Sequence, residues 1–316
     1  MRSSTRSPST LLAFIGVFVA GCAAPVVDAA DEDSVNVAAS QTTQAIVLVE
    51  RTAADSTADS TVGAQFVQTN VSAKFMRLGA SADLDVAERV VGGSWLDLPP
   101  DGECRALGTS AGTDEPATLS GLGAVELLDV GDLSIKAEAT SMPLATRAFP
   151  DVGGLISGVF YTSRDARSDL PAPGRYVLES TGSNVLDKFS IGADAPANPD
   201  GVRIGNVDLN ESVLLEENAS TNIAWRIADK HEDDRIYVDL TAESGTGIRC
   251  TYKDSGEGVL PASATTSKVW GVLPTVVTVA VHRTRKGQFS ATGIDDAELR
   301  FDFSIVGKAT IAASTP

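Results

Sequence analysis

Apolar and polar residues alternate along most of the chain from Gln44 onward, in short runs separated by Gly, Pro, Asp and Asn. A period of two is typical of strands that turn one face towards a core, and frequent turn residues are typical of antiparallel sheets. Helical periodicity is nearly absent, and residues 82–90 are the best short helix candidate. The pattern therefore predicts an all-β protein.

The alternation is clearest in the C-terminal third. The positions predicted to face inward are Ile223, Trp225, Ile227, Ile236, Val238, Leu240, Ile248, Cys250, Tyr252, Val277, Val279, Val281, Leu299, Phe301, Phe303 and Ile305. The polar residues between them, such as Tyr237, Asp302 and Ser304, are predicted to face solvent. Strands with one wet face stack as two sheets, and roughly seven strands in about 115 residues favour an immunoglobulin-like sandwich. The Cys-Trp-Cys spacing of antibody domains is missing here.

The stretch Ile191 to Gly201, "IGADAPANPDG", combines small residues and prolines without a strand pattern. Such a composition is typical of a linker between domains. We therefore expect two antiparallel β-sandwich domains, an N-terminal one over 43–195 and an immunoglobulin-like one over 196–316.

The first 21 residues have the features of an export signal. Arg2 and Arg6 precede an apolar run from Leu11 to Ala20. A helix of that length spans roughly 15 Å, whereas a bilayer core needs about 30 Å. The run has the length of a signal-peptide core, and small and acidic residues follow it. We expect a signal peptide over 1–21 rather than a buried helix of the fold.

The end of this run, Val19-Ala20-Gly21-Cys22, resembles the lipobox of bacterial lipoproteins. The resemblance implies cleavage before Cys22, a diacylglycerol on its sulfur and an acylated new amino terminus. By the sorting habit of Gram-negative lipoproteins, Ala23 favours the outer membrane. Residues 22–42 are then a lipid-anchored flexible tether, because they contain few large apolar groups. The alternative is ordinary secretory cleavage near residues 20–24, with Cys22 incidental.

A second, looser resemblance covers most of the mature chain. The order "AERVVGGSW…LPPDGEC", "VELLDVGDLSI", "LPAPGRYVLES" and "RIYVDL…IRCTYKDSGEGVLP" is similar to a group of uncharacterised lipoproteins from myxobacterium-like bacteria. These are strand and turn motifs, and no activity accompanies them. The resemblance implies a β fold and a lineage but no function.

The charge of the chain limits the classes of partner. The full chain carries a net charge of −17, and cleavage before Cys22 removes Arg2 and Arg6 and no acid, which leaves −19. Such a surface argues against nucleic acid and against a basic surface for anionic lipid. Besides the membrane reached through the anchor, we expect an extracellular protein or glycan as partner.

Two cysteines remain after the anchor, Cys104 and Cys250. In an exported protein an even pair is compatible with a disulfide. Two separate buried thiols are equally compatible, because cysteine is among the residues most often buried.

Candidate catalytic residues are few. Gly108-Thr109-Ser110-Ala111-Gly112 matches G-x-S-x-G, but the residues after it contain Pro116 and glycines and predict no helix, so a surface loop is favoured over a nucleophile elbow. His231 lies in the charged run "DKHEDDR" and His282 on a polar strand face, and both are predicted to be solvated. Neither has a second His or Cys at ligand spacing, so we expect no zinc site.

Acidic groups and tryptophans supply weaker candidates. The acids that could hold calcium lie in three groups: Glu232, Asp233 and Asp234; Asp295, Asp296 and Glu298; and Asp200, Asp208 and Glu211. None has EF-hand spacing, so we expect solvated turns and no bound metal. Trp95 and Trp270, near glycine-rich turns, are candidates for stacking on sugars, whereas Trp225 belongs to the core pattern. Gly121 and Gly123 lack the third glycine of a dinucleotide loop, so we expect no cofactor.

Together these features predict a non-catalytic, lipid-anchored protein of the cell envelope that serves adhesion, structure or partner binding. The alternative is a secreted hydrolase with a site carried by loops. A pocket that joins His231 or His282 to an acid and a serine would favour the hydrolase.

Overall fold

A computed structural model of the chain describes residues 41–54, 66–79, 82–92, 97–107, 124–149, 156–163, 170–227 and 231–314. Residues Ala39–Pro316 form one compact unit. The predicted signal peptide, Cys22 and most of the predicted tether lie outside the described residues, as do Trp95 and the G-x-S-x-G stretch at 108–112.

Among the described residues, nine strands and one short helix precede residue 196. The strands are β1 (Thr42–Ala54), β2 (Phe66–Leu78), β3 (Cys104–Leu107), β4 (Val125–Leu127), β5 (Leu133–Ala137), β6 (Thr140–Ala148), β7 (Ile156–Ser163), β8 (Gly174–Ser180) and β9 (Phe189–Ala195), and the helix is α1 (Leu84–Val90). Helix α1 confirms the helix predicted over 82–90. Strand β9 corrects the expectation that 191–201 lacks a strand, because residues 191–195 pair with β8.

The remaining strands are β10 (Arg203–Ile204), β11 (Val207–Asp208), β12 (Val213–Glu216), β13 (Thr221–Ala224), β14 (Arg235–Ala242), β15 (Gly247–Lys253), β16 (Glu257–Leu260), β17 (Thr275–Ala291) and β18 (Ile294–Ala312). A 3₁₀ turn at Ala262–Thr265 and helix α2 (Ser267–Trp270) lie between β16 and β17. The all-β prediction is confirmed.

The strands form one large sheet and one small sheet. The large sheet has the order β3-β15-β14-β17-β18-β1-β2-β4-β7-β6-β5-β8-β9, with β12 also on β18, and the small sheet has the order β11-β10-β13-β16. Most pairs are antiparallel. The parallel exceptions are β1 with β18, β12 with β18, and β4 with β7. The large sheet is therefore mixed, whereas the small sheet is antiparallel.

The large sheet folds back on itself to enclose a first hydrophobic core. Residues of β1, β2 and the first half of β18 pack there against residues of β5, β8 and β9. Aromatic rings join the two layers: the centroids of Tyr176 and Phe301 are 5.4 Å apart, and those of Phe75 and Phe189 are 5.5 Å apart. The backbone of Gly287 in β17 also lies against Ala193 of β9. This packing is a β-sandwich, and it includes the first half of β18 from the C-terminal third of the chain.

A second core lies between the small sheet and the other end of the large sheet. Residues of β10 and β13 pack on β14, β15, β17 and the second half of β18. Trp225 contacts Tyr252 across this core, with ring centroids 6.0 Å apart. The predicted inward positions of β14 and the valines of β17 are buried, as the alternation indicates. The C-terminal part thus packs two sheets face to face, as predicted.

Strands β17 and β18 contribute to both cores. In β18, Leu299, Phe301 and Phe303 belong to the first core, and Ala309 and Ile311 belong to the second. Strand alternation places all five on one face of the sheet. The long hairpin of β17 and β18 therefore spans both cores.

The opposite face of the large sheet is partly covered by α1. Ala87 and Val91 pack on Ile46 and Met76 there. None of the described helices is long and apolar enough to cross a membrane.

Candidate binding cleft

Two cavities meet at His231, where the chain enters β14. The larger encloses about 660 Å³ and the smaller about 470 Å³, and His231 and Arg235 line both. The floor of the larger cavity is the polar face of β17 and β18, with Thr284, Lys286, Gln288 and Glu298. Leu98 and the 231–235 turn form its walls.

Buried ion pairs hold the 231–235 turn against the sheet. Arg285 of β17 donates from Nε and Nη2 to the two carboxylate oxygens of Asp234, both at 2.7 Å. Asp234 is only 2% exposed. Its backbone N–H donates a hydrogen bond of 3.0 Å to the carbonyl oxygen of His231, which closes the turn. A bidentate contact of this kind fixes geometry as well as charge.

Arg235 ties the same turn to the segment before β3. Its Nε lies 3.2 Å from Oδ1 of Asp101, and its Nη1 donates to the carbonyl oxygens of Glu232 and Asp234. The Arg235 guanidinium therefore joins the two walls of the larger cavity: the 231–235 turn, and the segment that contains Leu98 and Asp101.

A second buried pair supports the smaller cavity. Arg283, which is fully buried, donates to the carboxylate of Asp254, with Nε 2.8 Å from Oδ2. Trp225 Nε1 donates to Oδ1 of the same carboxylate at 2.6 Å. Arg283 also donates to the carbonyls of Ala197 and Asn198, just after β9. Arg283 and Arg285 thus lie on β17 between the two cores and dock the 194–198 segment on it.

Beyond the floor of the cleft, the same sheet face carries a hydrogen-bonded cluster. Asp302 accepts from the Tyr237 hydroxyl at 2.7 Å, and its other oxygen lies 2.9 Å from His282 Nδ1. The rings of Tyr237 and His282 are stacked with centroids 4.1 Å apart. The Arg249 guanidinium lies 4.6 Å from the Tyr237 centroid and binds Asp239 through two hydrogen bonds.

The sheet face that carries this cluster corrects the expectations for four residues. Tyr237, Asp302 and Ser304 were expected to face solvent, but they are 1%, 9% and 3% exposed. His282, expected to be solvated, bonds to Asp302 with a side chain 17% exposed. These polar side chains do point away from the apolar core, but they pack against one another and are shielded from solvent. Their burial is tolerated because each has a charged or hydrogen-bonding partner on a neighbouring strand.

The environment of Tyr237 changes its proton affinity. Burial, the charge of Asp302 and the hydrogen bond to Asp302 raise the pKa of the Tyr237 hydroxyl well above its ordinary value. Tyr237 therefore stays a hydrogen-bond donor to Asp302 at neutral pH.

The serines near the two histidines are engaged elsewhere. Ser304 lies opposite His282, but its hydroxyl is 3.4 Å from the carbonyl oxygen of Arg51 and 3.2 Å from the hydroxyl of Thr52. Ser255 lines the smaller cavity, and its hydroxyl contacts the carbonyls of Lys253 and Glu257. His231 Nδ1 lies 4.0 Å from Asp233 and 3.9 Å from Asp234. Neither histidine is thus joined to both a serine and an acid within the described residues.

Four of the nine candidate calcium ligands pair with arginines. Asp234 binds Arg285, Glu298 binds Arg300, Asp200 binds Arg226, and Asp208 lies 3.6 Å from Arg203. Asp295 accepts from the backbone N–H of Thr43. In the part of the chain that the structure describes, no group of three or more His, Cys, Asp and Glu side chains could hold a metal ion.

The tryptophan and cysteine candidates also have definite places. Trp270 is 8% exposed and its indole N–H donates to the carbonyl of Ala264, so it cannot stack on a sugar. Trp225 is buried in the second core, as predicted. Ile227, predicted to face inward with it, is 41% exposed and lines the smaller cavity. Cys104 and Cys250 lie opposite each other on β3 and β15 and form a disulfide.

Several lining residues of the cleft had no signal in the sequence. Lys286 and Gln288 are ordinary polar positions of an alternating strand, and Leu98 lies in a proline-rich turn. The charged run "DKHEDDR" was the one visible pointer, since it supplies His231, Asp233 and Arg235.

Comparisons with known proteins add little. No protein-family model matches the chain, and no curated protein matches it. Among solved structures, the chain is similar to the Fcho1 Mu homology domain of Danio rerio with bound Eps15 peptide. The identity is 8%, the match covers 87% of this chain and 97% of that chain, and the TM-score is 0.22. At that TM-score the similarity carries no argument about fold or function.

Proposed function

We propose that this protein is a non-catalytic, lipid-anchored component of the cell envelope that binds an extracellular partner through the cleft at His231. The observation that carries the binding role is the cleft itself, an open polar cavity of about 660 Å³ beside a second of about 470 Å³. Cavities of this size are typical of ligand sites.

The rigid surroundings of the cleft support binding rather than chemistry. Arg285 and Arg283 of β17 form ion pairs with Asp234 and Asp254. The Asp302 carboxylate is hydrogen-bonded to both Tyr237 and His282. These groups already satisfy one another, so they act as a scaffold for the exposed side chains of the cleft. A preorganised site loses little conformational entropy on binding.

The lipid anchor rests on the lipobox ending in Cys22. Two or three acyl chains hold a protein firmly on a bilayer, because each buried CH₂ contributes about 0.8 kcal/mol. A tether over 22–42 then leads to β1, which begins at Thr42. The protein would face outward from the envelope, with the outer membrane as the favoured site.

The anchor is tested by labelling cells with a clickable palmitate analogue. The wild-type protein should carry label and fractionate with membranes, whereas Cys22→Ala should carry none and be soluble. Equal labelling of the two proteins would refute lipidation at Cys22.

The binding role is tested with the Cys22→Ala protein and washed envelope fragments of the producing bacterium. The cleft variant Asp233→Ala/Gln288→Ala should sediment with the fragments at least tenfold less than its parent. Glu243→Ala, an exposed acid in the β14–β15 turn, is the matched control and should sediment like the parent. Sedimentation that does not depend on the cleft would refute the proposal.

A further inference from the structure

We infer that the larger cavity at His231 binds an extended peptide segment with a basic residue, and that this segment adds a strand to the edge of β17. The inference rests on the proposed binding function and names the chemistry of its ligand. It is carried by the strand pairing around the cavity and by the charge that stays accessible there.

Part of β17 has a neighbouring strand on one side only. The pairing of β14 with β17 ends where Arg235 lies opposite Thr284, whereas β17 continues along β18 to residue 291. In the part of the chain that the structure describes, no strand lies on the β14 side of β17 over residues 285–291. The first two of these residues interact with other groups of the chain. Residues 287–291 therefore form an open sheet edge.

The larger cavity lies beside this open edge. Arg235, the first residue of β14, and Gly287 both line it, so it extends from the start of β14 along β17. Because glycine has no side chain, the part of the lining that Gly287 contributes consists of main-chain atoms. A ligand in the cavity thus meets the backbone of an edge strand.

The spacing of the backbone groups at such an edge matches an extended peptide. Alternate residues of a strand point their N–H and C=O groups to the same side, so these groups recur at intervals of about 7 Å. A peptide that adds to a sheet has the same repeat and pairs with them, while its side chains enter neighbouring pockets. Here the peptide takes the place of a continued β14, and Leu98 and Gln288 border its side chains.

The size of the cavity favours a single strand over the edge of a second copy of this chain. The cavity encloses about 660 Å³ between the 231–235 turn, Leu98 and the sheet. A second copy would bring a sandwich whose two sheets lie about 10 Å apart. A peptide segment of a partner protein is therefore the occupant.

The accessible charge of the larger cavity is negative. The other charged side chains of the lining already have partners: Arg235 with Asp101, Glu298 with Arg300, and Lys286 within the chain. The Asp233 side chain is 76% exposed, and among the described residues its one charged neighbour is His231, at 4.0 Å. Because the whole chain carries a net charge of −17, the long-range field also attracts a basic segment. Asp233 therefore pairs with a Lys or Arg of the peptide.

The test begins with selection of a phage-displayed library of random dodecapeptides on the immobilised Cys22→Ala protein. Selected peptides should carry Lys or Arg, and synthetic copies should bind in fluorescence anisotropy. Asp233→Asn should weaken their binding about two- to fivefold, the effect of an exposed ion pair. Glu243→Gln, an exposed acid in the β14–β15 turn, should bind like the parent. Unchanged thermal unfolding of both variants excludes a loss of folding.

Methylation of the peptide backbone tests strand addition directly. Only alternate N–H groups of an added strand point to its neighbour. N-methylation of every second residue should therefore weaken binding at least about tenfold in one register, since several hydrogen bonds are lost, and within about twofold in the other. Amide hydrogen exchange should slow in peptic fragments that cover 287–291 and stay unchanged over 277–283, which is paired on both sides.

Several outcomes overturn the inference. They are a selection without binders, equal effects of the two methylation registers, and protection that avoids 287–291. A dimer of the purified protein that the selected peptides dissociate would assign the edge to a second copy.

Treatment of the envelope fragments separates this inference from the proposed function. Proteinase K should abolish cleft-dependent sedimentation, and periodate, which cleaves the vicinal diols of glycans, should leave it unchanged. Loss with periodate but not with proteinase K overturns the peptide and leaves partner binding standing. Absence of cleft-dependent sedimentation overturns both.

Discussion

Replacement of Arg283 by Met should strongly destabilise the protein, because Arg283 joins three separate segments from a fully buried position. Its guanidinium donates to Asp254 and to the carbonyl oxygens of Ala197, Asn198 and Arg226 at 2.8 to 3.3 Å. Met fills a similar volume but donates no hydrogen bond. Asp254, whose side chain is 7% exposed, accepts hydrogen bonds from Arg283 and from the Trp225 indole N–H. In the Met variant, only the one from Trp225 would remain of these.

The expected loss is about 3–5 kcal/mol of unfolding free energy, the range for removing one partner of a buried ion pair. This is a large part of the roughly 5–15 kcal/mol that stabilises a typical protein. Arg283→Lys keeps the charge without the bidentate geometry, so it should lose less and remain measurable if Arg283→Met does not fold. The control is Arg175→Met, whose partner Asp194 lies 3.0 Å away with both side chains largely exposed. An exposed pair contributes about 0–1 kcal/mol.

Urea unfolding followed by tryptophan fluorescence measures these differences, because Trp225 and Trp270 are buried in the second core. Limited proteolysis at 196–201 gives a second readout, since Arg283 holds the backbone of Ala197 and Asn198. The reasoning is refuted if Arg283→Met unfolds within 1 kcal/mol (about a fivefold change in the equilibrium constant) of Arg175→Met.

Three further changes test other parts of the structure. The Cys104→Ser/Cys250→Ser variant should lose about 2–5 kcal/mol, because the disulfide joins residues 146 positions apart; a reductant should lower the melting temperature of the wild type and not of this variant. Tyr237→Phe should cost about 1–3 kcal/mol at pH 8, because Asp302 loses its donor. Since the pKa of Tyr237 is raised in the folded state, the unfolded chain releases this proton first, and the wild type loses stability as pH rises above about 10. Urea unfolding at pH 8 and 11 should show a smaller alkaline loss for Tyr237→Phe, and equal losses would contradict the assignment. Gly158→Ala should destabilise at least twice as much as Gly102→Ala in thermal unfolding. Both glycines have positive φ, but a Cβ at Gly158 would lie 1.9 Å from the Leu127 carbonyl oxygen, whereas one at Gly102 has nothing within 4 Å. Similar losses for the two glycines would show that φ alone sets the cost.

Local pattern was enough for the strands of the second core. The alternation predicted the buried positions of β14 and β17, and the weak helical period at 82–90 corresponds to α1. A period of two reports which residues share a face, because side chains alternate along any extended strand. It does not report whether the other face is wet.

The polar face of β14, β17 and β18 illustrates that limit. Tyr237, His282 and Asp302 come from three strands, and each looks like a solvated residue in its own strand. They are buried because antiparallel pairing places them side by side, where each satisfies another. The cleft is also formed by residues that are far apart in the sequence, since its floor and walls include positions as distant as Leu98 and Glu298.

The sequence by itself determined the β class and the buried faces of the C-terminal strands, and it predicts lipid attachment at Cys22. Those properties depend on neighbouring residues, through side-chain alternation and a short cleavage motif. Only the tertiary structure decided that β17 and β18 serve both cores, that Cys104 meets Cys250 and that Arg283 and Arg285 close the junction. Each of these depends on strand pairing across long stretches of chain, which no local pattern encodes.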